Sequence, residues 1–337
     1  MMELNVLWFV LIAVLFTGFF FLEGFDYGVG ALLPFLGKRD DERSQIIMSI
    51  APVWDGNEVW MITAGGALFA AFPHVYATMF SAFYLALFLM LLALIMRGVA
   101  FELHGKMECS CWRRFWEGAI CFGSVVPAFL WGVAVTNLLA GIPIAENMHY
   151  MGSFFDLLTP YTIIGGLTFL TVFTFHGAAF LTQRLTNQLL IQRARLYALK
   201  AGAFAAFFFV LCYVMTITKT TLVYSLPAIL ALSAAGLIFI LGLLCMGYKK
   251  FRCGFICGAL AIVCTTIGFF AGLFPNLMVS SLNPLWNLTI TNASSTPYTL
   301  SIMTMAAVVL VPIVLIYQGW TYWIFRKRIS AQDVEAH

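Results

Sequence analysis

The chain has 337 residues, of which 62% are hydrophobic and only 10% charged, with a formal net charge of +3. A soluble domain carries about 25% charged residues, so a water-soluble globular protein is excluded. A bilayer accounts for the deficit, because lipid removes the need for a polar exterior.

A bilayer crossing needs about 20 apolar residues. In chain order, such runs fall at 5–36, 46–72, 78–101, 117–142, 161–182, 199–218, 225–247, 253–275 and 299–325. They predict an all-α integral membrane protein with about nine transmembrane helices, a single polytopic membrane domain over 1–337. The first run is long. Its second half, Phe25 to Gly37, is glycine-rich and is expected to tilt or break. The two longest outer joints, 143–160 and 276–298, are too short to fold as soluble domains. A receptor or a soluble catalytic domain is therefore excluded.

Basic residues set the orientation. Lys38, Arg39 and Arg43 follow the first run; Arg97, Lys106, Arg113 and Arg114 end or follow the third. Arg184, Arg193, Arg195 and Lys200 follow the fifth, Lys249, Lys250 and Arg252 the seventh, and Arg326, Lys327 and Arg328 the ninth. That places 17 of 18 on one side, with Lys219 the exception. The bias predicts an outside N-terminus and a cytoplasmic C-terminus. The start MMELNV has an acid and no basic segment, so no signal peptide is expected.

Eight cysteines are present, and no disulfide framework is expected from them. Cys121, Cys212, Cys245, Cys257 and Cys264 lie in apolar runs, where cysteine acts as a small hydrophobe. Cys109 and Cys111 fall on the predicted inner side, where thiols stay reduced. A lone Cys-x-Cys falls short of a zinc ligand set, and no metal site is expected.

Four acids sit inside the first two runs. Glu23 and Asp26 lie in LEGFDYGVG, and Asp55 and Glu58 lie in APVWDGNEVW. Each costs about 2.5–3.5 kcal/mol at membrane depth on insertion scales. The i, i+3 spacing puts both carboxyls of a pair on one helix face. Asp26 and Asp55 are equidistant from the middle of the joining loop, as are Glu23 and Glu58. A helical hairpin would bring all four to one level, with Asp26 about 16 Å in from Gly37 at 1.5 Å per residue. Clustered buried carboxyls cannot all ionise, so they suit a proton path. The competing reading is that they pair with Arg97 or Asn57 and fix helix packing.

Arg97 is either a snorkelling interfacial residue or a counter-charge to the acids or to a partner's anionic group. Gly18, Gly24, Gly28 and Gly30 in the first run, and Gly56, Gly65 and Gly66 in the second, are expected to let backbones approach. Trp54 and Trp60 flank the second acid pair and are expected to pack. His74, His104 and His149 lie in or beside loops, and His337 is the last residue. Only His176 is clearly within a run. An intramembrane haem ligated on both faces wants a second strong ligand, so the chain alone is expected to hold no haem. His176 then reads as a core or partner-contact residue. No phosphate-binding glycine loop, nucleophile elbow or basic nucleic-acid stripe is present. The outer tract NPLWNLTITNASSTPY is polar and uncharged, suited to capping outer helix ends.

Three tracts resemble subunit II of the cytochrome bd-type quinol oxidases: EGFDYGVGALLPFLG at 23–37, SIAPVWDGNEVWMITAGGALFAAFP at 49–73 and FSAFYLALFLMLLALIMRGVAFE at 80–102. The likeness resumes with NAS at 292–294 and TLSIMTMAAVVLVPIVLIYQGWTYWIFRKR at 299–328. It implies a bacterial terminal respiratory oxidase of the cytoplasmic membrane that oxidises quinol and reduces oxygen to water. It implies a haem-bearing subunit I as heterodimer partner, with two haems b and one haem d, and small single-span subunits as further candidates. It also implies two four-helix bundles plus a peripheral helix. Asp26 and Asp55 fall on the family's membrane aspartates and Arg97 on its third-span arginine; Glu58 stands where Gln is common. The haem-free subunit would stabilise subunit I and line a proton route from the cytoplasm. The sequence also suits a proton-coupled secondary transporter or a purely structural assembly subunit.

Overall fold

The computed structural model describes residues 3–107 and 109–330. His337 and the first two residues of the MMELNV start lie outside them. Eleven α-helices occur among the described residues: α1 (Leu4–Leu36), α2 (Asp40–Ile50), α3 (Trp54–Ala71), α4 (Pro73–Ala82), α5 (Tyr84–Leu103), α6 (Ser110–Ala140), α7 (Pro160–Arg184), α8 (Gln188–Lys219), α9 (Leu226–Gly247), α10 (Phe251–Leu273) and α11 (Pro297–Ile324). Eight of these regions are long and apolar enough to cross a membrane: α1, α5 with the turn after it, and α6 to α11.

The predicted run 46–72 is not one helix. α2 ends at Ile50 and α3 starts at Trp54. Pro52 explains the break, since it has no N–H and its ring clashes with the preceding helical turn. The polar start of α3 then supplies Asp55, Asn57 and Glu58.

The opposite happens in the first run. The break expected between Phe25 and Gly37 is absent, and α1 is continuous through Gly28, Gly30 and Pro34. Neighbours pack closely against it. A side chain at Gly28 would collide with the Phe173 carbonyl of α7, and one at Gly30 with Ser124 of α6. α8 begins eleven residues before its apolar run, because Asn187 caps it, accepting from Leu189 N at 3.0 Å and Leu190 N at 3.4 Å.

α1, α3 with α4, α5 and α6 form one four-helix group, and α7 to α10 form the second. α1 also lies along α7 and joins the two groups. α11 is peripheral, touching α1 and α3 and otherwise exposed. The outer loops close over the helix ends. Strands β1 (Asn276–Met278) and β2 (Leu288–Thr289) pair antiparallel. Ser295 donates through N to Ala71 O at 2.8 Å and through Oγ to Ala70 O at 2.6 Å, so the polar tract caps α3.

Candidate functional site

Glu23 and Asp26, one turn apart on α1, are both fully buried. Arg97 of α5 is equally buried, and its Nη1 donates to Glu23 Oε1. The guanidinium carbon lies 5.0 Å from the Tyr27 ring centre and 5.8 Å from that of Phe101. Gly123 of α6 makes the room, since a side chain there would collide with Arg97 Cβ and Ala93 O. Arg97 is thus paired within the chain, as a charge buried this deeply needs a partner.

Asp26 meets Asn57, not a second acid. Asn57 Nδ2 donates to Asp26 Oδ2 at 2.7 Å. Asn57 Oδ1 accepts from Tyr322 OH at 2.7 Å and from Gln318 Nε2 at 3.3 Å. Gln318 Oε1 in turn accepts from Trp60 Nε1 at 2.6 Å. The buried amide thus joins α1, α3 and peripheral α11.

Three of the four acids, Glu23, Asp26 and Glu58, come within electrostatic reach of one another, whereas Asp55 turns away. Asp55 is exposed on this chain, and its carboxyl makes no hydrogen bond or ion pair to the described residues. Helix phase gives the reason. The inward stripe of α3 is Asn57, Ala64, Leu68 and Ala71, and Asp55 lies two residues from Asn57, about 200° around the helix. At the start of α3, its charge also favours the helix N-terminus. Glu58 is intermediate, half-buried and within electrostatic reach of Asp55, Glu23, Asp26 and Arg97.

The glycines divide in the same way. Gly18, Gly24, Gly28 and Gly30 touch neighbours, with Gly18 against Trp60, whereas nothing lies beside Gly56, Gly65 or Gly66. Those three, expected to serve close packing, lie with Asp55, Val59, Ile62 and Phe69 on an open face of α3. Trp54 stacks on Phe101, with ring centres 4.9 Å apart and planes at 23°.

Several buried polar atoms of the cluster have no hydrogen-bond partner among the described residues: Glu23 Oε2, Asp26 Oδ1, and Arg97 Nε and Nη2. Nearby, a cleft of about 280 Å³ is lined by Ser49, Val53, Gln183, Arg184, Tyr322 and Arg326. Tyr322 therefore touches both the cleft and Asn57.

Among the described histidines, His176 and His104 each meet a partner within the protein. His176 is fully buried, with Nε2 3.3 Å from Phe21 O and its ring stacked on Phe255 at 4.7 Å. Its Nδ1 faces Gly258, where even a methyl group would sit 3.4 Å away. His104 Nε2 lies 3.3 Å from Glu117 Oε1. His176 is a core residue, one of its two expected roles.

A profile of the cytochrome bd terminal oxidase subunit II family matches residues 4–325. The chain belongs to that family. It is 42% identical over 336 residues to cytochrome bd ubiquinol oxidase subunit 2 of Bacillus subtilis (strain 168), covering 99% of each protein. It is 37% identical over 367 residues to cytochrome bd-I ubiquinol oxidase subunit 2 of Escherichia coli (strain K12), covering 98% of this chain and 97% of that one. A chain of bd oxidase from Geobacillus thermodenitrificans has the same fold, with a TM-score of 0.76 and 16% identity, over 97% of this chain and 100% of that one. As a cytochrome bd subunit II, the chain is a multi-pass membrane component of an oxidoreductase complex.

Within this subunit II, sequence reasoning missed Gln318, Tyr322 and Gly123. The first two had a signal: polar groups one helical turn apart in an otherwise apolar helix face the same neighbour. Gly123 had none, because its role is the space that Arg97 occupies.

Proposed function

We propose that this subunit takes up protons on the cytoplasmic side and passes them toward a haem-bearing subunit I, which it also stabilises. One observation carries the proposal. Carboxyls run from fully buried Glu23 and Asp26 through half-buried Glu58 to exposed Asp55 on the open face of α3. Such a graded series of protonatable groups is what a proton route through a membrane requires. The partnerless atoms of Glu23, Asp26 and Arg97 add support, since buried polar groups are normally satisfied and water between them would extend the route.

The open face of α3 is proposed as the contact with subunit I. An aspartate at membrane depth is costly against lipid, and Gly56, Gly65 and Gly66 leave space for another backbone. Oxygen reduction and quinol oxidation would use two haems b and one haem d in subunit I. This chain would contribute residues that hold and move protons, in a bacterial cytoplasmic membrane with its N-terminus outside and C-terminus cytoplasmic.

A purely structural role is favoured by a different observation: Glu23 and Asp26 already have partners in Arg97 and Asn57. Oxygen consumption per haem separates the two. For proton uptake, Asp55→Asn assembles normally and turns over slowly, while Asp55→Glu keeps part of the rate. A structural Asp55 gives the reverse order, with Asn tolerated and the larger Glu disruptive.

A further inference from the structure

α9 and α10 form a tight helical hairpin. Just past the end of α9, Lys249 lies in the left-handed region, at φ 61. Lys250 N donates to Cys245 O at 2.8 Å, and Lys249 N to Met246 O at 3.2 Å. This paired-bond helix ending turns the chain back within three residues. Small residues then let the helices close. A side chain at Gly242 would meet Cys257 Cβ, and one at Gly254 would meet Met246.

The hairpin brings three thiols together. Cys245 Sγ lies 3.0 Å from Cys253 Sγ, and Cys253 Sγ lies 3.9 Å from Cys257 Sγ. Cys245 and Cys257 are buried, whereas Cys253 is exposed, beside the basic residues Lys249, Lys250 and Arg252. All three thiols are free. The proposed proton route uses none of them.

We propose that Cys253 and Cys245 form a reversible dithiol–disulfide site that takes hydrogen peroxide as its two-electron oxidant. Cys253 is the accessible nucleophile. Its sulfur attacks one peroxide oxygen, the O–O bond breaks, and water leaves as Cys253 becomes a sulfenic acid. Cys245 sulfur then attacks the Cys253 sulfur, the S–O bond breaks, and a second water leaves. Two thiols have lost two electrons and two protons, and the peroxide has become two waters. The sulfurs need close only from 3.0 Å to the disulfide length of about 2.05 Å. A thiol reductant reverses the bond by exchange.

The test uses membranes containing the whole oxidase, treated with dilute hydrogen peroxide, blocked with a maleimide and mapped by mass spectrometry. The expected result is a cross-linked peptide joining Cys245 to Cys253, lost on dithiothreitol treatment, with most alkylation of Cys253 lost in parallel. Cys257→Ser keeps the cross-link and Cys253→Ser abolishes it. Three results would overturn the proposal: Cys253 alkylated after peroxide as fully as before, Cys253 oxidised to sulfonic acid with no cross-link, or a cross-link that persists in Cys253→Ser.

Discussion

Asn57 donates to Asp26 across the contact between α3 and α1, and the same amide accepts from Tyr322 of α11. One residue therefore both orients the buried carboxylate and pins the peripheral helix. Asn57→Ala removes all of these bonds and leaves Asp26 without its donor. Three bonds are lost, each worth about 1 kcal/mol, so the purified complex should unfold at clearly lower temperature. Tyr322→Phe removes a single neutral bond, worth about 1 kcal/mol, and should lower the thermal midpoint only slightly. Equal effects from the two variants would mean that Asn57 does not act through Asp26.

Arg97 and Glu23 form a second test, independent of turnover. Removing one partner of a buried pair leaves a charge without compensation, at a cost of about 3–5 kcal/mol. Arg97→Met should therefore reduce assembled oxidase sharply, measured as haem per unit of membrane protein. Adding Glu23→Gln removes the stranded charge and should restore much of the yield. Arg97→Lys should not rescue fully, because a point charge does not reproduce the planar guanidinium between Tyr27 and Phe101.

Much of this site is legible in the sequence, and the limits are physical. Glu23, Asp26 and Arg97 stand out because charge inside an apolar run is expensive, and the structure brings these three together. The rotation of α3 is not legible. Counting from the loop makes Asp55 the mirror of Asp26, but Pro52 interrupts the helix and resets its phase, so Asn57 turns inward in its place. Gly56 and Gly28 look alike in sequence, yet one faces open space and the other a carbonyl of α7. Periodicity describes one helix, whereas these differences depend on what stands beside it.

Glu42 gives a prediction in pH. It sits outside the membrane runs at the start of α2 and is buried, which works against its charge. Lys38 N, Arg193 Nη1 and Arg39 N donate to it at 2.9, 2.7 and 3.4 Å. Together they outweigh burial and hold the carboxyl below its ordinary value of 4.5. A depressed value means the stabilisation is fully present above 4.5 and is lost as pH falls through the lower folded value. Glu42→Gln should lower thermal stability at neutral pH and flatten its decline in acid. An unchanged acid limb in Glu42→Gln would assign that decline to other carboxylates.

The central claim is that carboxyls of this subunit relay protons to the oxidase, and oxygen consumption per haem in the Asp26→Asn, Asp55→Asn double variant tests it most directly. Asparagine keeps the size and polarity of aspartate but cannot take up a proton. The relay predicts normal haem content with turnover about a hundredfold or more below wild type, in the range of general acid–base effects. Full turnover per haem in the double variant would contradict the relay and leave these acids as helix-packing groups.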